Sequence, residues 1–111
     1  MANEKLMHDL IVEHLKQRLG REYSEITVNP SGSPDLTLAN HGLVLAAVEV
    51  ETESSITPEK AAQWSGLAES GMKLILMVPK NTKVKVMELL WQKGIASRVG
   101  VGTYDIAINM P

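Results

Sequence analysis

Apolar positions along residues 4–19 recur with the period of a helix. Leu6, Met7, Leu10, Ile11, Leu15 and Leu19 fall on one broad arc, and Gly20 stops the pattern. Glu13 sits at the border of that arc, near Leu6 and Leu10, and not on the wet back beside Asp9. The period then shortens to two. "EITVN" alternates Ile26 and Val28 with polar residues, as a half-buried strand does, and "PSGSP" is a loop. "DLTLANHGLVLAAVEVETE" reads as a strand, a turn at "ANHG" and a second, longer strand.

Helical signals return at "SITPEKAAQWSGLAESG". Thr57 can cap, Pro58 suits the first helical position, Glu59 favours the positive end of the dipole, and Gly71 ends the element. "KLILMVP" is a short continuous apolar run, typical of a central strand buried on both faces. Asn81 or Thr82 can open a third helix with Val84, Met87, Leu90 and Trp91 turned inward and Gly94 closing it. "IASRV" and "TYDIAINM" read as short final strands. The order αβββαβαβ predicts an α/β domain with a mixed sheet.

A chain of 111 residues with 44% apolar residues suits one folded domain over residues 1–111. It has no Phe, so the core must rest on Val, Leu, Ile, Ala and Met. It has no Cys, which excludes disulfides, thiolate metal sites and cysteine nucleophiles. No apolar run approaches the roughly 20 residues that span a bilayer, and the start lacks a basic segment leading into an apolar one. A cytoplasmic protein with no membrane partner is expected. Net charge is -2, divided as -6 over residues 1–59 and +4 over residues 60–111. That division permits a basic surface beside an acidic cleft but gives no general basic field.

The chemistry concentrates in "AAVEVETE". Side chains alternate along a strand, so Glu49 and Glu51 share a face with Ala47 while Val48 and Val50 point the other way. Two neighbouring carboxylates on a strand otherwise fit for burial need a positive partner or a proton. Asp35 begins the first arm of the hairpin, straight after Pro34, and Glu49 and Glu51 lie near the end of the second arm. The start of one arm faces the end of the other, so Asp35 falls within reach of Glu49. Hard cations such as Mg²⁺ or Mn²⁺ favour such an oxygen-rich cluster. On the second helix Lys60, Gln63, Trp64 and Leu67 follow i, i+3, i+4, i+7 spacing, which turns Lys60 inward at the first turn, just after the acidic strand.

"SPD", then the turn, then "EVE", within the helix-strand-strand-strand-helix-strand order, resembles the PD-(D/E)XK nuclease superfamily. The resemblance implies a restriction-endonuclease-like core, a mixed sheet flanked by helices, and metal-dependent hydrolysis of phosphodiesters, with DNA the expected substrate. Residue by residue, Asp35 matches the motif's Asp, Glu49 its second acid and Glu13 the extra acid of the first helix. Glu51 stands where the motif has Lys. Members are known with Glu at that position, and others in which the lysine function has moved to the second helix, where Lys60 and a substrate-positioning Gln63 fit. The metal set implied is Glu13, Asp35, Glu49 and the Val50 carbonyl. Glu51 or Lys60 would orient or deprotonate the attacking water.

Lys80 and Lys83 would meet phosphates, with Lys85 beside them. A homodimer is expected, because cutting both strands of a duplex needs two sites. The alternative is a catalytically silent nuclease-fold domain that binds nucleic acid or a protein partner, and a third reading is a small structural domain whose acids are merely solvated. Glu53 and Glu59 read as solvated. His8, His14 and His41 share no metal-ligand spacing and read as structural or surface residues. Ser54 and Ser55 lack a partnered His-Asp set, and "GVG" at 100–102 is too short for a phosphate loop.

Overall fold

The computed structural model describes residues 2–29 and 33–105. Its elements follow the expected order: α1 (Ala2–Leu19), β1 (Glu25–Val28), β2 (Leu36–Asn40), β3 (Leu43–Val50), α2 (Pro58–Glu69), β4 (Lys73–Pro79), α3 (Lys83–Gln92) and β5 (Val99–Tyr104). The five strands form one sheet in the order β1-β2-β3-β4-β5. β1 and β2, and β2 and β3, pair antiparallel, while β3 and β4, and β4 and β5, pair parallel. This is an α/β fold with a mixed sheet and helices on both faces. Among the described residues no helix is long and apolar enough to cross a membrane.

The pleat divides the core in two. Ala47 of β3 and Leu74, Leu76 and Val78 of β4 face α2 and α3, where Ile56, Ala61, Trp64, Val86 and Leu90 cover them. Ala46, Val48 and Val50 of β3, with Leu36 and Leu38 of β2, face α1 and meet Ile11, Val12 and Leu15. The parity expected for β3 therefore holds, and Glu49 and Glu51 continue the α2 side.

The hairpin turn is two residues, His41 and Gly42, both at positive φ. That is the primed geometry whose twist suits adjacent strands. Asn40 pairs with Leu43 and Ala39 with Val44, but Leu38 pairs with Ala46. Leu45 is thus an extra residue, a β-bulge. Were Leu45 paired regularly, the register from the turn would set Asp35 opposite Val48. With it bulged, Leu36 pairs with Val48 and Asp35 falls opposite Glu49.

Three expectations about packing fail. Leu6 and Leu10 are exposed, because α1 turns its Ile11–Val12–Leu15 side to the sheet. Val84 and Trp91, the latter 74% exposed, lie outside the α3 face that Val86, Leu89 and Leu90 bury. Residues 95–98 form a turn closed by the Arg98 amide on the Ile95 carbonyl, and the strand begins only at Val99. Most of the expected final strand "TYDIAINM" and part of "PSGSP" lie outside the described residues.

Candidate functional site

At the carboxyl end of β3 an open cavity of about 240 Å³ is lined from four directions. Glu4, Lys5 and His8 come from α1, Ser33 and Asp35 from the segment before β2, Glu49 to Thr52 from β3 and its exit, and Lys60 from α2. Local chemistry fixes each contributor. Asn29 ties down the segment before β2: its side-chain amide donates to the Pro34 carbonyl (2.9 Å) and its backbone amide to the Asp35 carbonyl (3.0 Å). The end of β3 is held by the Glu51 amide on the Met77 carbonyl (2.9 Å) and by the Tyr104 hydroxyl, which donates to the Glu51 carbonyl at 2.6 Å. Burial pushes that phenol up to about 12. α2 starts as its sequence dictates, with Thr57 accepting the Lys60 amide at 3.1 Å and Pro58 following it.

The three expected acids converge and are buried, Glu49 at 2% and Glu51 at 1% exposure. The Asp35 amide donates to Glu49 Oε1 (3.0 Å), as does the Ser33 hydroxyl (3.1 Å). The Val50 amide donates to Asp35 Oδ2 at 2.8 Å. Glu51 accepts the Trp64 indole N–H on Oε2 and the Ser55 hydroxyl on Oε1, both at 2.8 Å. Lys60 reaches back along α2, in line with Trp64 one turn on, and sets its ammonium 3.5 Å from Glu49 and 3.8 Å from Glu51.

The electrostatics follow. Burial lifts the Glu49 carboxyl above its ordinary range, the Asp35 charge lifts it further, and Lys60 and the two donors oppose this. Burial also lifts Glu51 against the bonds from Trp64 and Ser55 and the charge of Lys60. The cluster carries more negative charge than Lys60 alone offsets.

His8 enters the site although its sequence spacing pointed to a structural or surface role. Its Nε2 lies 3.0 Å from Asp35 Oδ1 and its Nδ1 3.1 Å from Asp9 Oδ1. Burial pulls its pKa down, but the bond to Asp9 and the charge and bond of Asp35 outweigh it and leave the imidazole raised. Glu4 was also missed. It accepts the Ser54 amide (3.1 Å) and hydroxyl (2.6 Å) at the cavity rim. The available signal was the spacing Glu4, His8, Ile11, Leu15, Leu19, which extends the buried stripe of α1 to its first turn.

Other expected residues stay outside. Glu13 is exposed and does not line the cavity, because the rotation that buries Ile11 and Val12 turns it to solvent. Gln63 is exposed, since α2 buries Ala61, Trp64 and Ala68. Lys80 and Lys83 are exposed and do not line the cavity. They follow the carboxyl end of β4, which is parallel to β3, and so stand at the same end of the sheet.

Asp35 and Glu49 are the residues that could hold a divalent cation, with Val50, the residue after Glu49, also on the cavity wall. Among the described residues no group of three or more His, Asp or Glu side chains is arranged to hold a metal. Two carboxylates suit an ion such as Mg²⁺, which keeps several waters and takes further oxygens from a phosphate. The raised Glu49 carboxyl, beside the Asp35 charge, is the electrostatic counterpart of such a donor pair. No protein-family model, curated protein or solved structure matches this chain.

Proposed function

We propose that the protein is a divalent-metal-dependent nuclease that hydrolyses phosphodiesters of DNA. The observation that carries this reading is the approach of Lys60 to Glu49 and Glu51 beside Asp35. Acids and a lysine from three separate segments meet in one open cavity, and the lysine comes from the second helix, where the resemblance to PD-(D/E)XK nucleases allows it. The αβββαβαβ order and the mixed sheet support the same reading.

Asp35 and Glu49 would hold Mg²⁺ or Mn²⁺. When bound, the ion supplies positive charge to the phosphodiester and makes water more acidic. The protein's own part is orientation and charge. An ammonium has three donors, so Lys60 can pair with the two glutamates and still direct an N–H to a phosphate oxygen or to the attacking water. Glu51, with both oxygens engaged, seats Lys60 and Trp64. Lys80 and Lys83 add positive charge at the same end of the sheet, for phosphates flanking the scissile bond.

The second reading is a nuclease fold without catalysis, which binds nucleic acid or a protein partner. The full engagement of Glu51 at the position of the motif lysine favours it. Incubation with supercoiled plasmid separates the two. The nuclease reading predicts cleavage in Mg²⁺ that stops in EDTA and in Asp35→Asn. Binding without cleavage in any divalent metal would leave the second.

A further inference from the structure

Asp35 carries the site's chemistry, yet it precedes β2 rather than lying in it. Its carboxylate is anchored from two elements. The Val50 amide holds Oδ2 from β3 at 2.8 Å, and His8 Nε2 meets Oδ1 from α1 at 3.0 Å. The ring is held in turn from behind, where Asp9 Oδ1 lies 3.1 Å from Nδ1 and Lys5 pairs with the other Asp9 oxygen at 3.2 Å.

One hydrogen bond leaves a carboxylate free to swing, because the terminal torsion of an aspartate is broad. Two bonds to opposite oxygens fix it. The neighbouring Glu49 charge repels Asp35, so an anchor is needed to keep the two side by side. A hydrogen bond behind a metal-binding or reacting group commonly sets its orientation, and its loss commonly costs 10- to 100-fold in affinity or activity.

We propose that His8 is a positioning residue that fixes the Asp35 carboxylate toward the cavity, with Asp9 fixing His8. This rests on the nuclease reading for its consequence, but the anchoring itself does not. The contact also ties α1 to the sheet, so the test must separate orientation from a purely structural tie.

Two variants do so. His8→Ala removes the bond, whereas His8→Gln keeps an N–H donor at similar reach. In metal-free protein, hydrogen exchange of the Val50 amide reports whether Asp35 is fixed, with the Leu15 amide as a control for the docking of α1. Electron paramagnetic resonance of Mn²⁺ then reports affinity without any cleavage. The expected result is faster exchange at Val50 alone and about tenfold weaker Mn²⁺ binding in His8→Ala, with both restored to within about threefold in His8→Gln.

Unchanged Val50 exchange in His8→Ala overturns the anchoring. Faster exchange at Val50 and Leu15 together, unrescued by Gln, reduces His8 to a structural tie and also overturns it. Unchanged or tighter Mn²⁺ binding in His8→Ala overturns its role in the site. A parent protein that binds no Mn²⁺ refutes the metal reading and the positioning role with it, and the exchange measurement still decides whether His8 anchors Asp35.

Discussion

The Asp35 amide donates to Glu49 Oε1 at 3.0 Å, and this contact depends on one residue of the opposite strand, Leu45, being bulged rather than paired. A one-residue slip in a strand pair turns every side chain to the other face. Inserting one alanine after Leu45, with a single residue still bulged, would set Asp35 opposite Val48 and turn Leu36 and Leu38 away from α1. The insertion is expected to abolish cooperative melting or to lower the melting temperature by more than 10 °C, since a few kcal/mol displaces a domain of this size by about that much. An insertion variant that melts like the parent and keeps its Mn²⁺ response would contradict this origin of the site.

Trp64 and Glu51 are both buried and are joined by the indole N–H at 2.8 Å. Trp64→Phe would remove the donor and leave Glu51 Oε2 with Lys60 at 3.8 Å. Bonds to charged groups and the loss of a buried partner each cost about 1–3 kcal/mol. Urea denaturation followed by circular dichroism should show a loss of about 2 kcal/mol or more. A change below about 0.5 kcal/mol, ordinary for a surface substitution, would show that the indole bond contributes little.

The hairpin parity, the α2 phase and the short turn were legible because each is local. Alternation put Glu49 and Glu51 on one face, and the spacing of Lys60 and Trp64 set both inward. The bulge at Leu45 was not legible: nothing in "GLVLAA" marks it, and the expected meeting of Asp35 and Glu49 depends on it. The rotation of α1 was misread because Leu6, Leu10, Ile11 and Leu15 define an arc too broad to choose a centre. The sheet took the Ile11–Val12–Leu15 side, which brought His8 in and left Glu13 out. The same breadth on α3 misplaced Val84 and Trp91. Gln63 was misplaced because a residue bordering a stripe can fall on either side of it.

Acid should stabilise the metal-free protein over a defined range. Glu49 and Glu51 have folded pKa values raised above an ordinary 4.5, so each binds its proton more tightly when folded. Their contribution is complete below 4.5 and is lost as pH rises through the raised values. His8, raised above 6.5, acts in the same direction, with its contribution complete below 6.5 and lost above its raised value. Glu4 and Asp9, lowered from 4.5 and 3.8, oppose this only at more acidic pH. In EDTA the melting temperature should therefore be higher at about pH 5.5 than at about pH 7.5, and His8→Gln should reduce the difference. A melting temperature that falls between pH 7.5 and 5.5 would contradict the shifts.

On the nuclease reading, a single site would cut one strand at a time. Two-strand cleavage needs two sites related by a two-fold axis, matching the duplex. Light scattering at micromolar concentration should therefore give a dimer, and DNA binding should weaken steeply with salt if Lys80 and Lys83 meet phosphates. A monomer that only nicks plasmid would discard the dimer and keep the nuclease reading.

On the nuclease reading, Lys60 works with Asp35 and Glu49 on a phosphodiester. The most direct test is the single-turnover rate of plasmid cleavage in Mg²⁺ for the parent and for Lys60→Ala, with circular dichroism showing both folded. Preorganised charge of this kind is worth about 10²–10³ in rate, so the expected result is a parent rate abolished by EDTA and a Lys60→Ala rate about 100-fold lower. A folded parent with no cleavage above background, or a Lys60→Ala variant that cuts at the parent rate, would contradict it.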